Sequence, residues 1–161
     1  MHRSVRRRRL EMRTDYKSRL ALLKSGKPRL VVRKTNRYLI AQIVESDVAQ
    51  DKVIAGITSK YLLQKGWPEE KSGSLKSLAA SYLTGFALGK IASSKLKEKT
   101  LILDIGMNRN IQKSRIYAVL KGLIDSGFKI PHSPDSLPTK EGTESNKSLI
   151  PVMEKVKKEL A

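Results

Sequence analysis

The sequence predicts an α/β domain in which a mixed sheet of about five strands carries helices on its faces, flanked by a basic N-terminal arm and a C-terminal helical tail. Short runs rich in β-branched residues alternate with runs of helical periodicity between residues 29 and 133. The first of these runs are joined by short turns, which predicts antiparallel pairing. The later order of strand, helix, strand, helix and strand predicts that parallel strands complete the sheet.

Residues 1–28 are predicted to form a basic arm followed by a short helix. Arginine dominates residues 2–13, and like-charge repulsion predicts an extended chain there until an anion neutralises it. Apolar residues then recur at helical spacing. Thr14 is the predicted N-cap of this helix, and Gly26 is the predicted residue just beyond its end.

The α/β domain is predicted to span residues 29–133 and to open with an antiparallel sheet. Asn36 lies in the first turn, where asparagine tolerates left-handed backbone geometry. The polar stretch 46–51 is predicted to form the second turn. The three strands are predicted at 30–32, 39–44 and 52–59.

The second half of the domain is predicted to alternate helices with strands. A long helix is expected from residue 75 to about residue 97, with Ser72 or Ser74 as its N-cap. Gly85 and Gly89 lie four residues apart, which predicts close approach of this helix to the sheet. The remaining elements are a strand at 100–104, a helix at 116–124 ending at Gly127, a short strand at 128–130, and, within 134–161, a linker and a terminal helix.

The net charge of the chain limits the classes of partner that it can bind. The 161 residues include 33 Lys plus Arg against 15 Asp plus Glu, a net charge of +18, and two thirds of that excess lies in residues 1–37. Such a charge indicates a polyanionic partner, either nucleic acid or an anionic membrane surface. The arm lacks bulky apolar anchors, which disfavours the membrane. No secretory signal or membrane span is expected, and the absence of cysteine fits an intracellular protein.

An enzyme would need converging reactive groups, and few are present. His2 and His132 lie in an arm and a loop, and no glycine-rich phosphate loop occurs. Asp104, at the end of a predicted central strand, leaves one alternative open, a metal-dependent nuclease. We expect no catalytic residues, no metal and no cofactor.

Nucleic-acid binding is predicted at three basic clusters. Arginine pairs with phosphate through a two-point fork and also stacks on bases. Tyr38 could stack on an unpaired base, worth about 1–3 kcal/mol; alternatively Tyr38 packs inward while Arg33 and Lys34 are merely solvated. The third cluster lies in the loop after residue 104, where the amides at the start of the next helix also attract phosphate. Its basic side chains could likewise be merely solvated. The candidates are Arg3, Arg6, Arg7, Arg8, Arg9, Arg13, Tyr16, Lys17, Arg19, Lys24 and Lys27 in the arm and helix; Arg33, Lys34, Asn36, Arg37 and Tyr38 in the hairpin; and Arg109, Lys113 and Arg115 in the loop after residue 104.

Several motifs occur in an order that resembles a known family. They are TDY at 14–16, SGKPRLVVR at 25–33, AQIV at 41–44, ASYLTG at 80–85, LDIG at 103–106, SR at 114–115 and IPHS at 130–133. Together they resemble the archaeal-type large-subunit ribosomal proteins number eighteen, which bind 5S ribosomal RNA. Residues 107–113 depart from that family, which usually has proline, threonine and glycine there, and no role is transferred to residues 134–161.

The resemblance implies a ribonuclease-H-like domain of the translational machinery that performs no catalysis. It implies a monomer in the central protuberance of the large ribosomal subunit, in the cytoplasm and away from membranes. The arm, its helix and the hairpin would hold 5S rRNA, and other basic loops would contact the large-subunit rRNA. The expected protein partner is the neighbouring large-subunit ribosomal protein number five.

Overall fold

The computed structural model describes residues 5–48, 50–96, 99–139 and 149–160. Within them a four-stranded mixed sheet has the order β3-β2-β1-β4, in which only the β1–β4 pair is parallel. The strands are β1 (Arg29–Lys34), β2 (Leu39–Asp47), β3 (Gln50–Thr58) and β4 (Ile102–Asp104). The α-helices are α1 (Arg7–Leu10), α2 (Tyr16–Lys24), α3 (Tyr61–Gln64), α4 (Leu78–Ser93), α5 (Arg115–Asp125) and α6 (Ile150–Leu160), with 3₁₀-helices at Glu69–Ser74 and Pro134–Ser136.

The predicted mixed α/β class is confirmed, but the described sheet has four strands rather than five. Residues 128–130 make only an isolated parallel bridge, Thr100 to Lys129, in which the Leu101 amide donates to the Lys129 carbonyl at 2.9 Å. Pro131 follows at once and has no N–H, so the ladder cannot continue. Phe128 and Ile130 are buried, so this segment contributes to the core without becoming a strand.

Both turns of the antiparallel sheet differ from the prediction in detail. The first turn is where it was expected, but Thr35 fixes it, because its amide donates to the Tyr38 carbonyl and its hydroxyl accepts from the Tyr38 amide, both at 2.9 Å. Asn36 does not adopt a positive φ. The second turn lies within the predicted stretch 46–51 but is shorter, since Ser46 and Asp47 belong to β2 and Gln50 and Asp51 to β3. Next to it, Glu45 lies opposite Lys52 as a favourable charge pair.

The helix boundaries shift because other residues cap them. Asp15, rather than Thr14, caps α2, and its carboxylate accepts from the Lys17 amide at 3.0 Å. Ser77, rather than Ser72 or Ser74, caps α4, which also ends earlier than expected, at Ser93. The prediction for Gly26 is confirmed by its φ of +64° just beyond α2.

The glycines of α4 serve a contact different from the one predicted. A Cβ at Gly85 would lie 2.0 Å from the carbonyl oxygen of Val119, and a Cβ at Gly122 would lie 2.0 Å from that of Tyr82. Gly85 therefore allows α4 to approach α5 rather than the sheet. The two helices run side by side, and both pack on the same face of the sheet.

Two apolar clusters form the core, one at the C-terminal half of α4 and the other at its N-terminal half. The first joins the inner face of the sheet to α4 and α5. The second contains Leu62, Trp67 and Tyr82, and it is covered by Val156 of α6 and by Leu149, which directly precedes that helix. The terminal helix thus packs on the domain itself. None of the described helices combines the length and apolar character that crossing a bilayer requires.

Candidate nucleic-acid interface

A buried ion network lies on the face of the sheet opposite α4 and α5. By strand alternation, Arg29 points to this face, where its guanidinium is only 2 % exposed. It donates to Asp104 Oδ2 at 3.1 Å, to Asp51 Oδ1 at 2.7 Å and to Ser46 Oγ at 2.9 Å. One arginine side chain of β1 therefore ties together β2, β3 and β4.

Asp104 has no free oxygen with which to bind a metal ion. Arg29 holds Oδ2, while Oδ1 accepts from Arg33 Nη2 at 2.9 Å and from the Gly106 amide at 2.8 Å. The described residues contain no group of three or more acidic or histidine side chains suited to a metal. The nuclease alternative, which needs Asp104 as a magnesium ligand, therefore loses its principal residue.

Arg33, predicted as a phosphate ligand, is largely engaged within the protein. Its Nη1 donates to the backbone carbonyls of Val32 and Asp104, each at 2.9 Å. Its guanidinium also covers Gly106, where a Cβ would lie 2.7 Å from Cζ. Arg33 thus fixes the end of β4 against β1, although 40 % of its side chain remains exposed.

The N-terminal arm is folded rather than extended over the residues that the structure describes. Glu11 forms ion pairs with Arg7 at 3.5 Å and with Arg13 at 3.3 Å, which relieves the repulsion that predicted an extended chain. The Arg13 amide donates to the Arg8 carbonyl at 2.9 Å and closes the turn. The predicted contact Arg3 lies outside the described residues.

The arm folds back onto α2 and leaves a cleft against the sheet. The guanidinium of Arg6 stacks on the ring of Tyr16, 4.7 Å from its centroid. Arg19 holds α2 to the sheet through Asp51 at 2.9 Å. The cleft between arm, α2 and the end of β4 has a volume of about 630 Å³, and four predicted arginines line it: Arg8, Arg13, Arg19 and Arg33.

The β1–β2 turn presents an exposed polar surface. Lys34, Asn36 and Arg37 are exposed, whereas Tyr38 is half-buried and packs against the second apolar cluster. This packing favours the inward alternative for the Tyr38 ring. Lys76, which the sequence analysis missed, joins the turn from just before α4, where its Nζ donates to the Asn36 carbonyl at 3.3 Å.

The loop after β4 lies at the same edge of the sheet, because β1 and β4 are parallel neighbours. Arg109, Lys113 and Arg115 are exposed there. The Lys113 amide is anchored to the Ser136 carbonyl at 2.9 Å, and within the described parts of the chain no side chain caps the first turn of α5. We call this surface the basic edge; its residues are Lys34, Asn36, Arg37, Lys76, Arg109, Lys113 and Arg115.

The remaining predicted contacts are distributed along the arm and α2. All of them are exposed except Tyr16 and Arg19, which are half-buried. The exposed ones are Arg6, Arg7, Arg8, Arg9, Arg13, Lys17, Lys24 and Lys27. The structure therefore separates the predicted residues into an arm group and a basic edge, which meet at Arg33.

Two carboxylates near these cations have pKa values below their ordinary range. The hydroxyl of Ser18 and the amides at the start of α2 lower the pKa of Asp15. Burial alone would raise the pKa of Asp51, but hydrogen bonds from Ser46 and Arg19 and the charge of Arg29 outweigh it and lower that pKa. Both carboxylates are therefore ionised at neutral pH and serve the fold.

Comparison with known proteins identifies the family. Residues 2–101 and 93–133 match the family described as ribosomal large subunit proteins 60S L5 and 50S L18. The chain belongs to this family. As an L5/L18 family protein it is a ribosomal protein of the large subunit, and the family match ends before α6.

The relatives of this L5/L18 family protein include archaeal proteins named large ribosomal subunit protein uL18. The protein of Korarchaeum cryptofilum is 48 % identical over 135 residues, which cover 84 % of this chain and 67 % of the relative. Those of Aeropyrum pernix and Methanospirillum hungatei are 42 % and 41 % identical, again over 84 % of this chain and over 61 % and 74 % of their own lengths. The chain thus spans about two thirds of the length of the first relative and about three fifths of the length of the second.

Proposed function

We propose that this chain is a non-catalytic structural component of the large ribosomal subunit that binds 5S rRNA and helps attach it to the large-subunit rRNA in the central protuberance. The observation that carries the proposal is the basic edge, where cations from two turns and from the residues before α4 lie at one end of the sheet. The only acidic side chain of β4, Asp104, is neutralised by Arg29 and Arg33. Exposed cations at this edge therefore attract phosphate without competition from Asp104.

The positions of the basic residues suggest that different parts of the chain bind different RNA molecules. The arm and α2 carry eight exposed cations on one continuous segment of the chain, which suits a run of phosphates on one RNA strand. The basic edge adds an amide at Asn36 and uncapped helix amides at α5, both able to bind sugar or phosphate oxygens. We propose that the arm holds 5S rRNA together with the hairpin, and that the loop with Arg109 contacts the large-subunit rRNA.

Further parts of the proposal rest on the family and the topology. The antiparallel β1–β2–β3 sheet joined by a crossover to the parallel strand β4 supports a ribonuclease-H-like domain over residues 29–133. We further propose that the protein is a monomer in the cytoplasmic ribosome and lies beside large-subunit ribosomal protein number five. Residues 1–28 would then be an RNA-binding arm, and 134–161 a linker and covering helix.

A competition titration tests the proposal. Fluorescent 5S rRNA is titrated with the protein in the presence of excess transfer RNA at physiological salt. We expect 5S rRNA to bind at least about 1,000-fold more tightly than the competitor, the lower end of the ratio seen for specific nucleic-acid recognition. Equal competition by the two RNAs would contradict specific 5S binding.

A pair of matched variants locates the RNA-binding surface. Arg37→Ala removes a cation from the basic edge, and Lys129→Ala removes one from the exposed side of the isolated bridge. We expect Arg37→Ala to weaken 5S binding several-fold and Lys129→Ala to leave it within twofold, because phosphate contacts are local. An equal loss of affinity in both variants would show that binding depends on total charge alone.

A further inference from the structure

The outer edge of β3 is unusually open for a strand of nine residues. In the described residues no strand pairs with β3 on the side away from β2. Soluble proteins ordinarily protect such edges with charges, prolines or bulges, because free N–H and C=O groups recruit other strands. The pairing with β2 shifts register at Ile54, but the whole stretch 53–58, VIAGIT, contains neither charge nor proline, and the Val53 side chain is 51 % exposed. Beyond the register shift, residues 55–58 therefore remain open to pairing.

A groove with a volume of about 840 Å³ runs along this edge. The wall across from β3 consists of Tyr61, Leu63 and Gln64 of α3 together with Ile91 of α4, and all of these residues except Gln64 are apolar. Gly56 lies within the strand and is exposed, and the space beside it is taken by the side chain of Gln42 on β2, whose Cγ would lie 3.3 Å from a Cβ at this position. The groove therefore offers hydrogen-bonding groups on one side and apolar contacts on the other.

The charges around the groove indicate what would bind there. Among the residues that the structure describes, Lys60 and Lys95 are the only charged ones that line it, and both are exposed. A second copy of this chain would bring two more lysines and a net charge of +18 against them, so self-pairing is opposed by repulsion. RNA is a poorer occupant, because only two of the described lining residues are cations, neither is an arginine, and more than half of the lining residues are apolar.

We propose that the β3 edge is a docking site for an extended acidic segment of another protein, which adds a strand to the sheet and places its carboxylates near Lys60 and Lys95. Its main-chain hydrogen bonds would supply affinity, and alternate side chains would enter the groove. This site lies on the outer side of β3, with β2 between it and β1, although β3 ends at the same end of the sheet as β1 and β4 and so brings Lys60 to the end that carries the basic edge.

The proposal is tested with a short peptide that alternates valine and glutamate, added to the full chain at physiological salt. We expect amide hydrogen exchange at residues 53–58 to slow on binding. A control peptide of the same sequence and charge carries N-methyl groups on alternate residues, which block one hydrogen-bonding edge. We expect the control to bind at least about tenfold more weakly, the effect of losing one or more net hydrogen bonds.

Charge-reversal variants complete the test. The double variant with Lys60→Glu and Lys95→Glu is compared with a control double variant with Lys99→Glu and Lys129→Glu. The control makes the same change of charge beside the Thr100–Lys129 bridge, away from the groove. We expect only the first pair to weaken the peptide, by about tenfold for two exposed charge pairs. The proposal is overturned if the N-methylated peptide binds as tightly as the parent peptide, or if both double variants lose affinity equally. It is also overturned if an oligouridylate, rather than the peptide, slows amide exchange at residues 53–58, or if sedimentation shows a dimer paired through β3.

Discussion

The buried network around Arg29 and the basic edge contain the same kinds of side chain in opposite circumstances. In the network, the guanidinium of Arg29 is 2 % exposed and meets two carboxylates and a hydroxyl. At the basic edge, Lys34 and Arg37 are exposed, and no carboxylate pairs with either of them in the described residues. Arginine therefore stabilises the fold in one region and remains available for a ligand in the other, a few residues away along the chain.

The difference shows that burial and partners, rather than residue type, decide the role of a cation. Breaking a buried ion pair leaves an unpaired charge in the interior and is costly. Removing an exposed cation has little effect on the fold. Arg33 stands between the two, since it binds Asp104 and is still partly exposed.

The largest expected effect comes from one substitution made in both regions. Arg29→Met should lower the free energy of unfolding by about 3–5 kcal/mol, because Asp104 and Asp51 lose their shared partner. Arg37→Met should change it by less than about 0.5 kcal/mol. Urea denaturation of both variants measures the difference, and similar losses of stability in the two would refute the contrast.

A smaller effect is expected at the boundary residue. Arg33→Lys keeps the charge but removes the fork that reaches Asp104 and two backbone carbonyls, so we expect stability to fall by about 1–3 kcal/mol. Its affinity for RNA should remain within about twofold if Arg33 is mainly structural. The control is Lys34→Arg, which places a guanidinium at an exposed position. It should change RNA affinity by less than about twofold and the free energy of unfolding by less than about 0.5 kcal/mol. Urea denaturation and 5S rRNA titration measure the two properties, and a large fall in RNA affinity with unchanged stability would assign Arg33 to the basic edge instead.

The pH dependence of stability should report on Asp51. Its pKa is lowered in the folded protein from the ordinary value of 3.8, so its contribution is present at neutral pH and is lost as the pH falls through and below that value. Asp51→Asn should therefore be less stable than the parent chain at pH 6, by about 1 kcal/mol for a partly exposed pair. Urea denaturation at pH 6 and at pH 3 measures the stability of Asp51→Asn and of the parent chain. The difference between them should shrink at pH 3, and a larger difference at pH 3 would contradict the account.

Local patterns predicted much of the fold. Periodicity located α2, α4 and α5, and the β-branched runs located the first three strands. The prediction of a fifth strand was wrong because Pro131 ends the hydrogen-bond ladder. The apolar run at 128–130 does not by itself show where the ladder ends. The docking of α6 on the second apolar cluster was also unpredictable, since its amphipathic pattern is compatible with any apolar surface.

The candidate site was predicted in composition but not in organisation. The sequence identified the exposed cations, yet it grouped Arg33 with Lys34 because they are neighbours in the chain. In β1 they point to opposite sides, and only Arg33 reaches Asp104. Lys76 was missed because only the crossover that carries α4 brings it to the turn, where it donates to the Asn36 carbonyl.

The salt dependence of 5S rRNA binding tests the central claim most directly, that the basic edge binds phosphate while the buried network does not. A variant with Lys34→Ala and Arg37→Ala should reduce the slope of log affinity against log salt by about 0.7–0.9 for each phosphate that the protein no longer neutralises. Arg33→Met, which removes a charge that is paired with Asp104, should leave the slope unchanged. An unchanged slope in the double variant, with the fold intact, would contradict the account.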